Sequence, residues 1–239
     1  MELRIAHLYP EQLNIYGDRG NLLTLVQRCR WRNLQARVIL LNPTDPVNPD
    51  LADIYLMGGG QDKQQLDVCD DLHRVKAQGL KEAAAQGAVF LGICGGYQLM
   101  GHYYKPHQGP ELRGLSLMDA VTVAGNRRFI GNVLIERPDG STVVGFENHS
   151  GLTRLGPGVP PLGRVLSGYG NNGEDGFEGA QVGNLYGTYL HGSLLPKNPA
   201  LADELIVKAL ARRYGTVALA PLDNQLEQSA HEKVALKLK

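Results

Sequence analysis

The residues of this chain best suited to chemistry are a cysteine in a glycine-rich turn, a glycine triplet upstream of it, and a histidine that closes a late strand-like run. Ala88, Val89, Phe90 and Leu91 form the short apolar run that a buried parallel strand needs, and Gly92-Ile93-Cys94-Gly95-Gly96 follows directly. Glycines on both sides of Cys94 suit a sharp strand-to-helix turn, where larger side chains collide. The pattern Gly-x-Cys-x-Gly is the cysteine form of a nucleophile elbow. A thiol placed there stands above the carboxyl edge of a sheet, at the positive end of the next helix, where the thiolate is favoured. Two other readings compete: a buried cysteine acting as a small hydrophobe, and a phosphate cradle. No Gly-Lys-Ser or Gly-Lys-Thr occurs in the chain, which weakens the second.

Ile54-Tyr55-Leu56-Met57 reads as another strand, and Gly58-Gly59-Gly60 sits at its carboxyl end. Without side chains in the way, backbone N–H groups there can point at a developing oxyanion. A base for the cysteine must reach it in space rather than in sequence. Of the seven histidines, His191 is the best placed, because it follows the strand-like run 184–190 and a parallel neighbour would bring it to the Cys94 edge. His149 comes second; His102 and His107 fall in a loop.

The elements that must position these groups alternate in type. The run Leu3-Arg4-Ile5-Ala6-His7-Leu8 reads as a strand, Asn21 as the cap of a helix over 22–33, and 36–41 as a second strand. Helical periodicity covers 69–86, ended by Gly87, and the elbow helix stops near Gly101. From 114 to 187 the chain is rich in Gly, Val, Thr and Asn. Alternating runs such as 131–136 and 141–146 read there as antiparallel strands, and Asn171-Asn172-Gly173-Glu174-Asp175-Gly176 as a hairpin tip. A helix over 199–214 and a surface helix after Pro221 complete the chain. The expectation is an α/β fold: a mainly parallel central sheet flanked by helices, with additional antiparallel strands in the second half, residues 1–239 forming a single domain.

Lysine plus arginine balance aspartate plus glutamate at 24 each, so no global field draws nucleic acid or an anionic membrane. The three cysteines, Cys29, Cys69 and Cys94, form no Cys-x-x-Cys pair. That argues against a disulfide framework or zinc site and fits a reducing cytoplasm. No apolar run approaches membrane-spanning length, and Met1 leads straight into a strand-like run, so neither an anchor nor a signal peptide is expected.

Gly92-Ile93-Cys94-Gly95-Gly96-Tyr97-Gln98, the upstream glycine triplet and a strand ending in His191 resemble class I glutamine amidotransferases, and among them the cobyric-acid-synthase-like branch. Within that branch, Asn14-Ile15-Tyr16-Gly17-Asp18-Arg19-Gly20-Asn21, Phe146-Glu147-Asn148-His149-Ser150-Gly151 and Tyr169-Gly170-Asn171-Asn172-Gly173 resemble the amidotransferase subunits that serve lipid II amidation. The resemblance implies that Cys94 attacks the side-chain amide of L-glutamine and that His191 moves the proton. Gly59, Gly60 and Gly95 would donate N–H groups to the oxyanion. It implies that Arg128 holds the glutamine, a role suited to a guanidinium fork, although Arg127 is adjacent and the sequence does not separate the two. Many class I enzymes carry a glutamate two residues after the histidine; Ser193 stands there in this chain. Either the pair works as a dyad or another group, such as Glu147, takes the third role.

The chain has no ATP-binding motif, and ammonia is useful only where it is consumed. The resemblance therefore implies no cofactor in this chain and a Mur-ligase-like partner, MurT, which carries ATP and Mg²⁺ and through which lipid II is reached. Rival readings are the same chemistry for another acceptor such as a cobyrinate, and a stand-alone cysteine peptidase or γ-glutamyl hydrolase of the same fold.

Overall fold

The computed structural model describes residues 1–15 and 17–238; Tyr16, within the 14–21 motif, and Lys239 lie outside the described residues. From the start, β1 (Glu2–Leu8), α1 (Arg19–Arg30) and β2 (Gln35–Leu41) form a strand-helix-strand unit. Next, β3 (Ile54–Met57) leads through α2 (Asp62–Asp71), a π-helical stretch (Leu72–Lys76) and α3 (Ala77–Ala85) to β4 (Val89–Ile93) and the short α4 (Gly95–Met100). Then come β5 (Tyr103–Lys105), β6 (Leu112–Arg113), β7 (Ala120–Glu136), β8 (Thr142–Leu155), β9 (Gly163–Ser167), β10 (Phe177–Glu178), β11 (Ala180–Val182) and β12 (Leu185–Thr188). Two helices follow, α5 (Pro199–Tyr214) and α6 (Gln225–Ala235).

The strands make two sheets. The first has the order β11-β12-β4-β3-β1-β2 and is parallel except where β11 pairs with β12. Its inner strands β3 and β4 are buried at every position, which is why they read as unbroken apolar runs. In register, Leu8 lies beside Met57, Met57 beside Gly92 and Ile93 beside Thr188. The carboxyl ends of β1, β3, β4 and β12 therefore emerge on one edge. The second sheet is mixed, in the order β10-β9-β7-β5-β6, with β8 running antiparallel along β7. This is the α/β architecture expected from the sequence.

Two local expectations are corrected and a third gains detail. Helix α1 begins at Arg19, so Asn21 is no cap; it lies in the first turn, buried, and its Oδ1 accepts the Leu195 N–H at 2.9 Å. The helical segment before β4 begins at Asp62, not at 69, because a first turn rich in Asp, Lys and Gln has little apolar periodicity to read. The run 171–176 lies, as expected, in the turn that joins the antiparallel β9 and β10, but Asn171 and Asn172 within it are buried. Asn171 Nδ2 donates to the Gly179 carbonyl and its Oδ1 accepts the Gly179 N–H, both at 2.9 Å, while Asn172 Nδ2 donates to the Thr153 carbonyl at 2.9 Å. These amides supply internal partners that a short loop cannot find in its own backbone.

Helix α1 is pinned by Arg28, whose fork donates to both carboxylate oxygens of Asp203 on α5 at 2.7 Å. Burial works to raise the Asp203 carboxyl, but hydrogen bonds from Arg28 and Arg32 prevail and hold it below the usual range. Among the described residues no helix is long and apolar enough to cross a membrane.

The close seat of α4 on the end of β3 requires Gly96: a Cβ there would lie 2.1 Å from the Met57 carbonyl oxygen. Because the obstacle is backbone, Gly96→Ala is expected to cost about 1–3 kcal/mol in urea unfolding. An unchanged midpoint would mean that α4 moves freely off β3.

Candidate active site

Cys94 sits where β4 turns into α4, with φ 50° and ψ −103°. A non-glycine residue rarely holds a positive φ, and here it is over-determined by its surroundings. The Cys94 N–H donates to the Thr188 carbonyl at 2.8 Å and its carbonyl accepts the Gln98 N–H at 2.9 Å. The thiol is thus tied to the end of β12 behind it and to the helix in front.

His191 lies three residues beyond the end of β12 and is fully buried. Its backbone is fixed by an isolated antiparallel bridge to Phe146 of β8, its N–H donating at 2.8 Å and its carbonyl accepting at 3.2 Å. Both sheets therefore hold this residue. Its Nδ1 is 3.2 Å from Asp18 Oδ1, and the imidazole also interacts with Cys94. Burial works against the imidazolium, but the hydrogen bonds and negative charges of Asp18 and Cys94 outweigh it and raise His191 to about 10. The structure brings the sequence-expected cysteine and histidine together and adds a carboxylate to them.

Asp18 is the group that sequence reasoning missed. It stands at the start of α1 without capping it, because its carboxylate turns into the site. Oδ1 faces His191 and Oδ2 accepts the Gly59 N–H at 2.7 Å. The available signal was topological: Asp18 follows β1, whose carboxyl end shares the edge with those of β4 and β12. Glu147 does not take the third role. Its two oxygens accept the Tyr169 and Gly170 N–H groups at 2.9 and 3.0 Å, and the histidine it approaches is His149, at 3.8 Å. Ser193, in place of the usual glutamate, turns away and donates to the Gly17 carbonyl at 2.6 Å.

The glycine triplet divides its tasks. The Gly59 N–H is spent on Asp18, so Gly59 is corrected from oxyanion donor to support. A Cβ on Gly59 would come within 2.6 Å of His191 Cε1, so the imidazole needs glycine there. The Gly60 and Gly95 amides have no acceptor among the described residues and their backbones lie close together: a Cβ on Gly95 would be 2.9 Å from the Gly60 nitrogen. The Gly60 peptide is steadied from behind by Gln65 Nε2, which donates to its carbonyl at 3.1 Å and to Gln98 Oε1 at 2.9 Å. Gln98 Nε2 donates in turn to the Tyr189 hydroxyl, which also bonds Thr153 Oγ1.

In front of Cys94 opens a cavity of about 330 Å³ whose lining includes Gly60, Asp62, Gln98, Tyr104, Arg128 and His149. Between Ala124, paired with Gly151, and Phe129, paired with His149, the β7–β8 ladder bulges. Both arginines lie in this bulge, where side-chain alternation fails. Arg128 reaches the cavity and its Nε donates to Asn148 Oδ1 at 2.7 Å. Arg127 instead lies over the Tyr169 ring at 4.5 Å and donates to its hydroxyl at 2.6 Å. His149 stacks on Tyr189 at 3.6 Å between ring centres, and burial keeps it below the usual histidine range. His102 and His107 bond locally, to Ser116 and Asp119 and to the Gly125 carbonyl. Among the described residues no three His, Cys, Asp or Glu side chains are grouped to hold a metal ion.

Residues 4–199 match the CobB/CobQ-like glutamine amidotransferase domain. The lipid II isoglutaminyl synthase (glutamine-hydrolyzing) subunit GatD of Staphylococcus aureus (strain N315) is 42% identical over 231 residues, covering 97% of this chain and 94% of its own length. The subunit of the same name from Streptococcus pneumoniae (strain ATCC BAA-255 / R6) is 38% identical over 235 residues, covering 97% and 90%. The chain belongs to the CobB/CobQ-like glutamine amidotransferase family. The fold of this CobB/CobQ-like amidotransferase is also that of PurLQS from Thermotoga maritima, at a TM-score of 0.56 and 16% identity over 88% of this chain and 96% of that one.

Chemically, the arrangement of the amidotransferase can present a sulfur nucleophile, a proton carrier, two N–H donors and a guanidinium to one substrate. Its pH behaviour follows from Asp18. The His191 proton is retained until pH passes about 10, well above the ordinary 6.5, so the stabilisation it brings is fully present below 6.5 and lost through 10. In Asp18→Asn one of the two groups that raise His191 is gone, and the basic limb of the pH–rate profile is expected at lower pH. A limb that stays in place would show that Asp18 does not hold the imidazole. Arg128→Ala is expected to raise the glutamine KM roughly 10–100-fold, against less than about 3-fold for Arg127→Ala, because only the former faces the cavity. Equal effects in steady-state assays would reject the assignment.

Proposed function

We propose that this chain is the glutaminase subunit of a lipid II isoglutaminyl synthase, using Cys94 as nucleophile, His191 as proton carrier and Asp18 as the group that orients His191. The observation that carries the reading is likeness to two GatD subunits along nearly the whole chain, in a protein whose Cys94, His191 and Asp18 meet at one sheet edge.

L-Glutamine enters the cavity with its α-carboxylate on Arg128. The Cys94 sulfur adds to the amide carbon, and the electrons displaced onto oxygen are met by the Gly60 and Gly95 N–H groups. The tetrahedral adduct collapses to a γ-glutamyl thioester as His191 gives its proton to the departing ammonia. Water then adds to the thioester with His191 as base, and glutamate leaves with the thiol restored. Asp18 keeps Nδ1 occupied throughout, so that Nε2 is the nitrogen offered to the sulfur.

Ammonia is consumed on a Mur-ligase-like partner, MurT, whose ATP and Mg²⁺ activate the α-carboxylate of D-glutamate in the lipid II stem peptide, giving D-isoglutamine for peptidoglycan. The absence of a P-loop from this chain supports a separate activating subunit. The complex works in the cytoplasm.

The test measures glutamate release and lipid II amidation by the chain with its ligase partner. Cys94→Ala is expected to abolish both, and amidation to require the two subunits, glutamine and ATP together. Glutamate release that survives Cys94→Ala would overturn the mechanism. Glutaminase activity that never yields amidated lipid II would transfer the subunit to another acceptor.

A further inference from the structure

L-Glutamine is a zwitterion, and Arg128 accounts for one of its charges. The cavity in front of Cys94 offers one carboxylate among the described residues that line it, Asp62. Asp62 opens α2, two residues after Gly60, so its position is set by the same loop that carries the oxyanion donor. The Tyr104 hydroxyl, on the short β5 of the second sheet, donates to Asp62 Oδ1 at 2.9 Å. Burial foremost, then the hydrogen bond to Asp62 and the Asp62 charge, raise the Tyr104 hydroxyl above its ordinary range. It therefore stays a donor to Asp62 Oδ1, and no second hydrogen bond to the Asp62 carboxylate is made among the described residues.

We propose that Asp62, steadied by Tyr104, receives the α-ammonium of L-glutamine in the cavity that Arg128 also lines. The assignment rests on the glutaminase reading above. Two opposite charges lining one cavity select an α-amino acid over a simple amide. A carboxylate in the first turn of a helix also interacts with the helix dipole, so a purely structural role for Asp62 is the rival explanation.

The two separate on substrate discrimination. Hydrolysis of L-glutamine and of 4-carbamoylbutanoate, which lacks only the α-amino group, is measured by ammonia release in the complex with the ligase subunit. The wild-type complex is expected to prefer L-glutamine. Asp62→Asn is expected to lower kcat/KM for L-glutamine by about 10–100-fold, mainly through KM, as loss of a charged hydrogen bond predicts, and to leave 4-carbamoylbutanoate nearly unchanged. Asp62→Glu should restore part of the preference, and Tyr104→Phe should weaken it. Equal losses on both substrates, or a preference that survives in Asp62→Asn, would overturn the assignment while leaving the glutaminase reading intact. A wild-type complex that releases ammonia from neither substrate would take down both.

Discussion

One buried carboxylate holds this site together. Asp18 accepts the Gly59 N–H with one oxygen and faces the His191 imidazole with the other, so a single side chain ties the loops after β1, β3 and β12 to one another. A carboxylate taken out of water is costly unless its lone pairs are filled, and here both oxygens have partners. The same contacts leave the imidazole little freedom to turn. They also explain the glycine at 59: the backbone must come so close to the histidine ring that no Cβ fits.

Around that clamp the two sheets divide the work. The parallel sheet delivers the reacting groups, since adjacent parallel strands end on the same edge and their loops must converge there. The mixed sheet builds the wall opposite. Its bulge in β7 aims Arg128 into the cavity, and Tyr104 reaches across from β5. The sheets meet at the bridge between Phe146 and His191, so the proton carrier belongs to both.

Behind the cavity, Gln65, Gln98, Tyr189, Thr153 and Thr122 form a continuous chain of buried hydrogen bonds. Gln65 Oε1 at its end has no partner among the described residues, but the connected links make the chain stiff. Stiffness serves the chemistry, because the Gly60 amide can stabilise an oxyanion only if it is already aimed when charge develops.

The elbow, the glycine triplet, the strand that ends in His191 and the α/β alternation were all legible in the sequence. Each is a local pattern, a glycine whose missing side chain permits a turn or an apolar run whose length suits a buried strand. Adjacency of β12 to β4, and so the meeting of His191 with Cys94, was an inference from strand ends that only the sheet order decides. Asp18 was hidden because Gly17-Asp18 reads as any turn does, and no periodicity links it to a histidine so distant in the chain. Arg127 and Arg128 could not be told apart because alternation fails in a bulge, and the direction of the Gly59 N–H depends on backbone angles that composition does not encode. Local sequence determined which chemistry was present; the tertiary structure decided which groups share it, because contact between distant segments depends on how strands order and ladders slip.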